Sequence, residues 1–281
     1  MNPSPLNQLL ARLDLGRRGV DRFAGEPGQG EGALFGGFVA AQAFVAAART
    51  VDGTALHSLH AYFLEPGRHD ASIDYSVERL RDGRTFKTRQ VLARQDGSAI
   101  FSLTASFARV EPGISHQDPM PDAPPPDGLP EWEEVRARLL GDPAKRRPDG
   151  PLEVRVCDPD SPDPDVRLPP TRRIWLRARG SVPDDPLLRT AMLVFATDRT
   201  LLRTGARPHG LPWARTLGVS LDHAIWLHHL PTFDDWILYA CHSPAAENAR
   251  SLTIGTMYER GGKRIATVAQ EGLLRLRRPE A

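Results

Sequence analysis

Residues 265–272 read IATVAQEG, and residues 100–107 read IFSLTASF, 165 positions earlier. Residues 220–227, SLDHAIWL, have a similar echo: His223-Ala224-Ile225-Trp226-Leu227 answers His60-Ala61-Tyr62-Phe63-Leu64, 163 positions earlier. Two matches at nearly one offset indicate one supersecondary unit written twice, and an internal repeat of this kind decides the fold. On these offsets Gln270 corresponds to Ala105, Ser220 to His57 and His223 to His60. Positions where polar chemistry in one copy replaces apolar filler in the other are the first places to look for function.

The surroundings of each stretch fill in the unit. Residues 34–50, LFGGFVAAQAFVAAART, are apolar on nearly all sides, as a fully buried helix is. Gly36 and Gly37 open it. Two readings suit the pair: close packing, or helix N-terminal N–H groups left free to face an anion or a polarised carbonyl. Four strand-like segments follow at 56–64, 72–80, 85–93 and 99–110. The second alternates with period two, and Asp82-Gly83 and Asp96-Gly97 signal hairpins. One long helix followed by an antiparallel meander is an α+β layout in which a sheet wraps a helix. Ahead of it, residues 5–14 read as a short helix and 20–23 as a strand. The second copy has strands at 152–158 and 172–179, and an apolar helix at 184–198 whose leading acids suit its dipole. A loop rich in Arg, Gly and Pro runs to Leu217. Strands at 219–229, 236–242, 251–259 and 264–276 follow, the last hairpin turning at Gly261-Gly262. The division is an N-terminal unit at 1–115, a Pro/Asp-rich linker at 116–150 with one short helix at 131–140, and a C-terminal unit at 151–281.

Composition sets bounds. A chain of 281 residues accommodates two units of roughly 110 residues and a connector. Its 40% hydrophobic and 25% charged content is that of a globular protein. A net charge of +1 gives no reason to expect nucleic acid or a charged membrane as partner. Two cysteines, Cys157 and Cys241, make no disulfide framework, so a reducing, cytoplasmic setting is expected. No apolar signal core opens the chain, no run is long enough for a membrane span, and RRPEA at the C-terminus is no peroxisomal address.

A buried helix wrapped by an antiparallel sheet, present twice, resembles the hotdog fold. The ordered motifs GALFGGFVAAQA (32–43), HSLHAYFLEPG (57–67), ERLRDGRTFKTRQV (78–91), FSLTASF (101–107) and MPDAPPPDGLP (120–130) resemble the acyl-CoA thioesterase II family. So do FATDRTLL (195–202), RPHG (207–210), SLDHAIWLH (220–228) and VAQEG (268–272). The resemblance implies an α+β double hotdog that hydrolyses acyl-CoA thioesters, with acyl-CoA as substrate and neither metal, cofactor nor covalent acyl-enzyme. A homo-oligomer, a dimer of double hotdogs, is expected. The catalytic groups implied are Asp198, Ser220 and Gln270. Ser220 departs from the Thr common at its place; it keeps the oxygen but lacks the methyl that restricts χ1.

The residue chemistry is consistent with that assignment. Water attacking a thioester must be aligned and relieved of a proton. A carboxylate can accept it, whereas Gln and Ser can only hold the water by hydrogen bonds. Asp198 is thus the candidate base, although an Asp there can also simply end its helix. A buried amide without partners costs about 1–3 kcal/mol, so Gln270, where the other copy has Ala105, points to polar company and to one working site per chain. Ser220, Asp222 and His223 have the residue types of a catalytic triad. Strand alternation, however, puts Ser220 and Asp222 on one face and His223 on the other, and there is no G-x-S-x-G. His57, His60, His223, His228 and His229 are too scattered for a zinc site, which needs three or four converging ligands. His60 and His223 are read as hydrogen-bonding groups at matching places. Arg81, Arg84, Lys87 and Arg89 suit either CoA phosphates or a solvated hairpin. Phe195, Trp226 and Trp236 suit a core or an acyl tunnel. Two rival readings are a non-catalytic acyl-CoA-binding protein and a hotdog enoyl-CoA hydratase, which needs an Asp–His dyad at the thioester.

Overall fold

The computed structural model describes residues 3–211 and 216–276. The RRPEA terminus and part of the loop before Leu217 lie outside them. In chain order the first half contains α1 (Pro5–Arg12), β1 (Gly16–Gly19), β2 (Arg22–Gly25), α2 (Gly36–Ala48), β3 (Ala55–Phe63), β4 (Ile73–Asp82), β5 (Phe86–Gln95) and β6 (Ser98–Ala108). The linker forms α3 (Trp132–Leu139). The second half contains β7 (Leu152–Val156), β8 (Thr171–Ala178), α4 (Pro186–Thr197), a 3-10 helix (Leu202–His209), β9 (Thr216–Ser220), β10 (Asp222–Leu227), β11 (Ile237–Glu247), β12 (Arg250–Glu259) and β13 (Arg264–Leu276). Of residues 20–23, expected as a strand, Val20 and Asp21 turn the hairpin between β1 and β2, with Asp21 at φ 53°, while Arg22 and Phe23 open β2.

All thirteen strands form one sheet among the described residues. Outward from its centre the order is β3, β6, β5, β4, β2, β1 on one side and β10, β13, β12, β11, β8, β7 on the other. The two halves therefore repeat one topology, joined edge to edge through antiparallel β3 and β10. Asp222 faces Tyr62 and Trp226 faces Ser58 along this seam. Pairing here removes two edges that would otherwise stand open. The inner faces wrap α2 and α4, which lie against each other: the Phe35 ring meets that of Phe195 edge-on at 5.1 Å. Every residue of α2 from Gly37 to Ala47 is buried, as its all-round apolar sequence requires. One continuous cluster, including Val45, Leu59, Leu103, Ile174, Val194, Tyr239 and Val268, runs through both units.

The expected strand at 219–229 is two strands. β9 and β10 both pair with β13, but Ser220 faces Gly272 while Ala224 faces Ala269, so the register slips by one residue at Leu221. The bulge is held by Leu221 N–H donating to Glu271 O (3.0 Å) and Glu271 N–H donating to Asp222 Oδ1 (2.7 Å). An extra residue reverses the alternation beyond it. Ser220 and His223 consequently share the inner face with Gln270, and Asp222 points the other way, contrary to the simple alternation of a regular strand.

β3 carries a matching bulge at His57, where Leu56 faces Phe107 and Leu59 faces Ala105. With β13 and β6 aligned 165 residues apart, the structural counterparts of Ser220 and His223 are Leu56 and Leu59. They are not His57 and His60. His60 is exposed and lies edge-on to Trp226 across the seam at 5.2 Å, while His223 is buried.

Candidate active site

Asp198 is the C-cap of α4. Its Oδ2 accepts a hydrogen bond from the backbone N–H of Gly37 (2.7 Å), and its Oδ1 accepts one from Gln270 Nε2 (2.7 Å). The two helices end differently. α4 is capped by its own Asp185, which accepts from Leu187 N–H at 2.8 Å. α2 begins after Phe35 and has no side-chain cap of its own; Asp198, from the other unit, supplies it. A carboxylate at a helix N-terminus is favoured by the free N–H groups and the dipole. Only glycine allows the approach. A Cβ on Gly37 would lie 2.7 Å from Phe195 O and 2.9 Å from Asp198 Cβ, and one on Gly36 would lie 2.9 Å from Asp198 Oδ2. Both readings of the glycine pair therefore hold together.

The Asp198 carboxyl sits beneath a cavity of about 810 Å³. Burial raises its pKa from the ordinary 3.8 to about 6, against the opposing pull of the bonds from Gln270 and Gly37 and of the neighbouring Arg199 charge. An acid that titrates near neutrality can take and return a proton. Gln270 is buried and also reaches His223 Nδ1 through Nε2 (3.2 Å), while its Oε1 has no hydrogen-bond partner. The other ring nitrogen, His223 Nε2, is 2.9 Å from Thr197 Oγ1. Burial drives the His223 pKa down to about 3, so the ring is neutral.

Of the three site residues inferred from the sequence, Asp198 and Gln270 touch. Ser220 lines the same cavity through the β9 bulge, but among the described residues no hydrogen bond joins it to either. The apolar part of the wall includes Phe35, Val39, Phe63 and Phe101, and the linker adds Trp132, Arg136 and Arg147. This contribution from the linker carries no signal in its Pro/Asp-rich sequence. The missing cap was open to detection: Phe35-Gly36-Gly37 offers no capping side chain, unlike Asp185-Pro186.

Several other candidates lie elsewhere. Arg81, Arg84, Lys87 and Arg89 do not line the cavity. Arg89 is buried, bound to Thr50 and Asp82, and the hairpin containing it is not simply solvated. Trp226 is on the outer face, and Trp236 packs in a separate cluster with Trp175, Leu238 and Tyr258. Phe195 is in the core. A Ser-His-Asp relay is not assembled, since both His223 nitrogens are engaged and Asp222 holds a backbone N–H. Cys157 and Cys241 are free thiols. No helix among the described residues is long and apolar enough to cross a membrane.

Comparison with known proteins gives the family of the chain. A family model described as acyl-CoA thioesterase matches residues 165–273, and one described as the acyl-CoA thioesterase N-terminal domain matches residues 26–108. The chain is 34% identical to acyl-CoA thioesterase 2 of Haemophilus influenzae, covering 96% of this chain and 98% of that protein. It is 36% identical to acyl-coenzyme A thioesterase 8 of Mus musculus, over 87% and 81% respectively. The crystal structure of the acyl-CoA thioesterase II TesB2 from Mycobacterium marinum superposes with a TM-score of 0.81 at 37% identity, covering 98% of this chain and 99% of that one. Matched in both halves and across the seam between them, the chain belongs to the acyl-CoA thioesterase II family, thioester hydrolases with a double-hotdog fold.

Proposed function

We propose that the cavity holds the thioester of an acyl-CoA and that Asp198 is the general base for its hydrolysis. One observation carries the reading: a cavity-floor carboxylate whose pKa is raised to about 6, held from both sides by Gly37 and Gln270. A water beside it gives a proton to Asp198 as its oxygen attacks the thioester carbonyl carbon. Ser220 and Gln270 orient that water. Gly36 N–H, at the N-terminus of α2 on the cavity wall, is placed to stabilise the negative charge that develops on the carbonyl oxygen. Collapse breaks the C–S bond, and the proton held by Asp198 passes to the departing sulfur. The products are the carboxylic acid and free CoA. The apolar wall around Phe35, Val39 and Phe101 receives the acyl chain.

Each chain has one such site. The counterparts of Ser220 and Gln270 are Leu56 and Ala105, the C-cap of α2 is Arg49 rather than an acid, and the N-terminus of α4 is already occupied by Asp185. Thiol release from saturated, unsaturated and hydroxylated acyl-CoAs tests the function. Turnover is expected. Binding without release would contradict it and favour an acyl-CoA-binding role, while hydration of enoyl-CoA without release would favour a hydratase.

A further inference from the structure

The orientation of one amide decides what Asp198 meets. Gln270 can present either its N–H groups or its oxygen to the carboxylate. Only the N–H face favours the ionised form; the oxygen face favours the protonated acid. Gln270 carries two N–H donors on one nitrogen, and that nitrogen sits between Asp198 Oδ1 (2.7 Å) and His223 Nδ1 (3.2 Å).

The protonation of His223 follows from the next link. The Thr197 hydroxyl donates its single proton to Val194 O at 2.8 Å, within the last turn of α4. Towards His223 Nε2, 2.9 Å away, Thr197 can therefore only accept. Nε2 must carry the proton of the neutral ring, which leaves Nδ1 as an acceptor. Turned the other way, the amide would set its oxygen against this lone pair. Two acceptors, one on each side, thus claim both N–H bonds of Gln270.

We propose that His223 is a positioning residue: through the Val194–Thr197–His223 chain it locks the Gln270 amide with its N–H towards Asp198, and so holds the base ionised. This rests on Asp198 being the base. Asp198 shares its cavity wall with the charged groups Glu65, Glu133, Arg136, Arg147 and Arg203. Arg199 follows Asp198 in the chain. The Tyr239 phenol donates to Thr197 O at 2.8 Å, and burial raises its pKa well above 10, out of range of any neutral-pH effect. His223 corresponds to Leu59 in the other unit, where Ala105 has no amide to orient; the imidazole occurs only where the amide does.

The experiment is the pH dependence of kcat and KM for acyl-CoA hydrolysis by the wild type, His223→Leu, His223→Asn and Thr197→Val. In His223→Leu the oxygen of Gln270 is free to turn towards a protonated Asp198 and stabilise it. The acid limb of kcat is expected to move up by about one pH unit, the size of one neutral hydrogen bond, with KM nearly unchanged. His223→Asn, whose side-chain oxygen can stand where Nδ1 stood, should restore most of the shift. Thr197→Val, which releases the tautomer, should move the limb in the same direction as His223→Leu and serves if His223→Leu does not fold. Variants that lose stability while keeping the wild-type acid limb would overturn the proposal. A wild type with no acid limb would instead overturn Asp198 as base.

Discussion

Gly37, in the first turn of one unit's helix, donates its N–H across 2.7 Å to Asp198, which closes the other unit's helix 161 residues later. The contact joins a helix start to a helix end through the place where the units meet. It explains why α2 has no cap of its own and why the catalytic carboxylate proposed here belongs to neither unit alone.

Gly37→Ala should damage both stability and activity. The new methyl would meet a backbone oxygen, Phe195 O, at 2.7 Å, and backbone cannot swing aside. Overpacking of this kind costs about 1–3 kcal/mol, more than the ~1 kcal/mol that alanine gains over glycine within a helix. Urea denaturation and thiol release, measured together, should show a lower midpoint and a kcat reduced about tenfold.

Asp185→Ala should separate the two caps. Losing a local N-cap costs about 1 kcal/mol, and Asp185 does not line the cavity. Denaturation should detect the loss while kcat and KM stay at wild-type values.

Gln270→Ala should lower kcat about 10²-fold, the effect of losing one transition-state hydrogen bond, with the fold retained, since Ala105 occupies the same place in β6. Circular dichroism and thiol release give the two readings. Ala105→Gln should create no second activity, because Leu56 and Arg49 stand where Ser220 and Asp198 would be needed.

Asp198 should also weaken the fold at neutral pH. Its pKa in the folded protein, about 6, lies above the ordinary 3.8, so the proton is held more tightly folded than unfolded. The stability linked to this group is fully present below about pH 4 and is lost as pH rises through 6. The ceiling on that loss is about 3 kcal/mol. Asp198→Asn removes the dependence, so its melting temperature should gain on the wild type between pH 4 and 7. His223, present in both proteins, cancels in the difference.

The repeat was readable because two sheets built alike keep the same apolar pattern: IFSLTASF and IATVAQEG occupy equivalent strands in equivalent register. The shorter match, HAYFL with HAIWL, was off by one residue. Strand side chains alternate with period two, so that single step exchanged inside for outside. It made His60 look like the partner of His223, when Leu59 is. Both copies carry the bulge, at Leu221 and at His57, so the structural offset is 164 on either side of it, and the likeness of HAYFL to HAIWL falls one residue out of that register. Asp198 and Gln270 were singled out by the resemblance of FATDRTLL and VAQEG to the family's motifs, and Gln270 also by its contrast with Ala105 across the repeat. Their contact, the supply of the α2 cap by Asp198 and the cavity wall contributed by α3 depend on segments far apart in sequence and have no local signature, although the absence of a capping side chain before Gly36 does.

The steady-state rate of Asp198→Asn with acyl-CoA, set beside the wild-type pH profile, tests most directly whether Asp198 is the base. The wild type should lose kcat as pH falls through about 6. The variant, folded by circular dichroism, should turn over at least about 10²-fold more slowly across the whole range, as removal of a general base requires. A folded Asp198→Asn variant that hydrolyses acyl-CoA at the wild-type rate would contradict it.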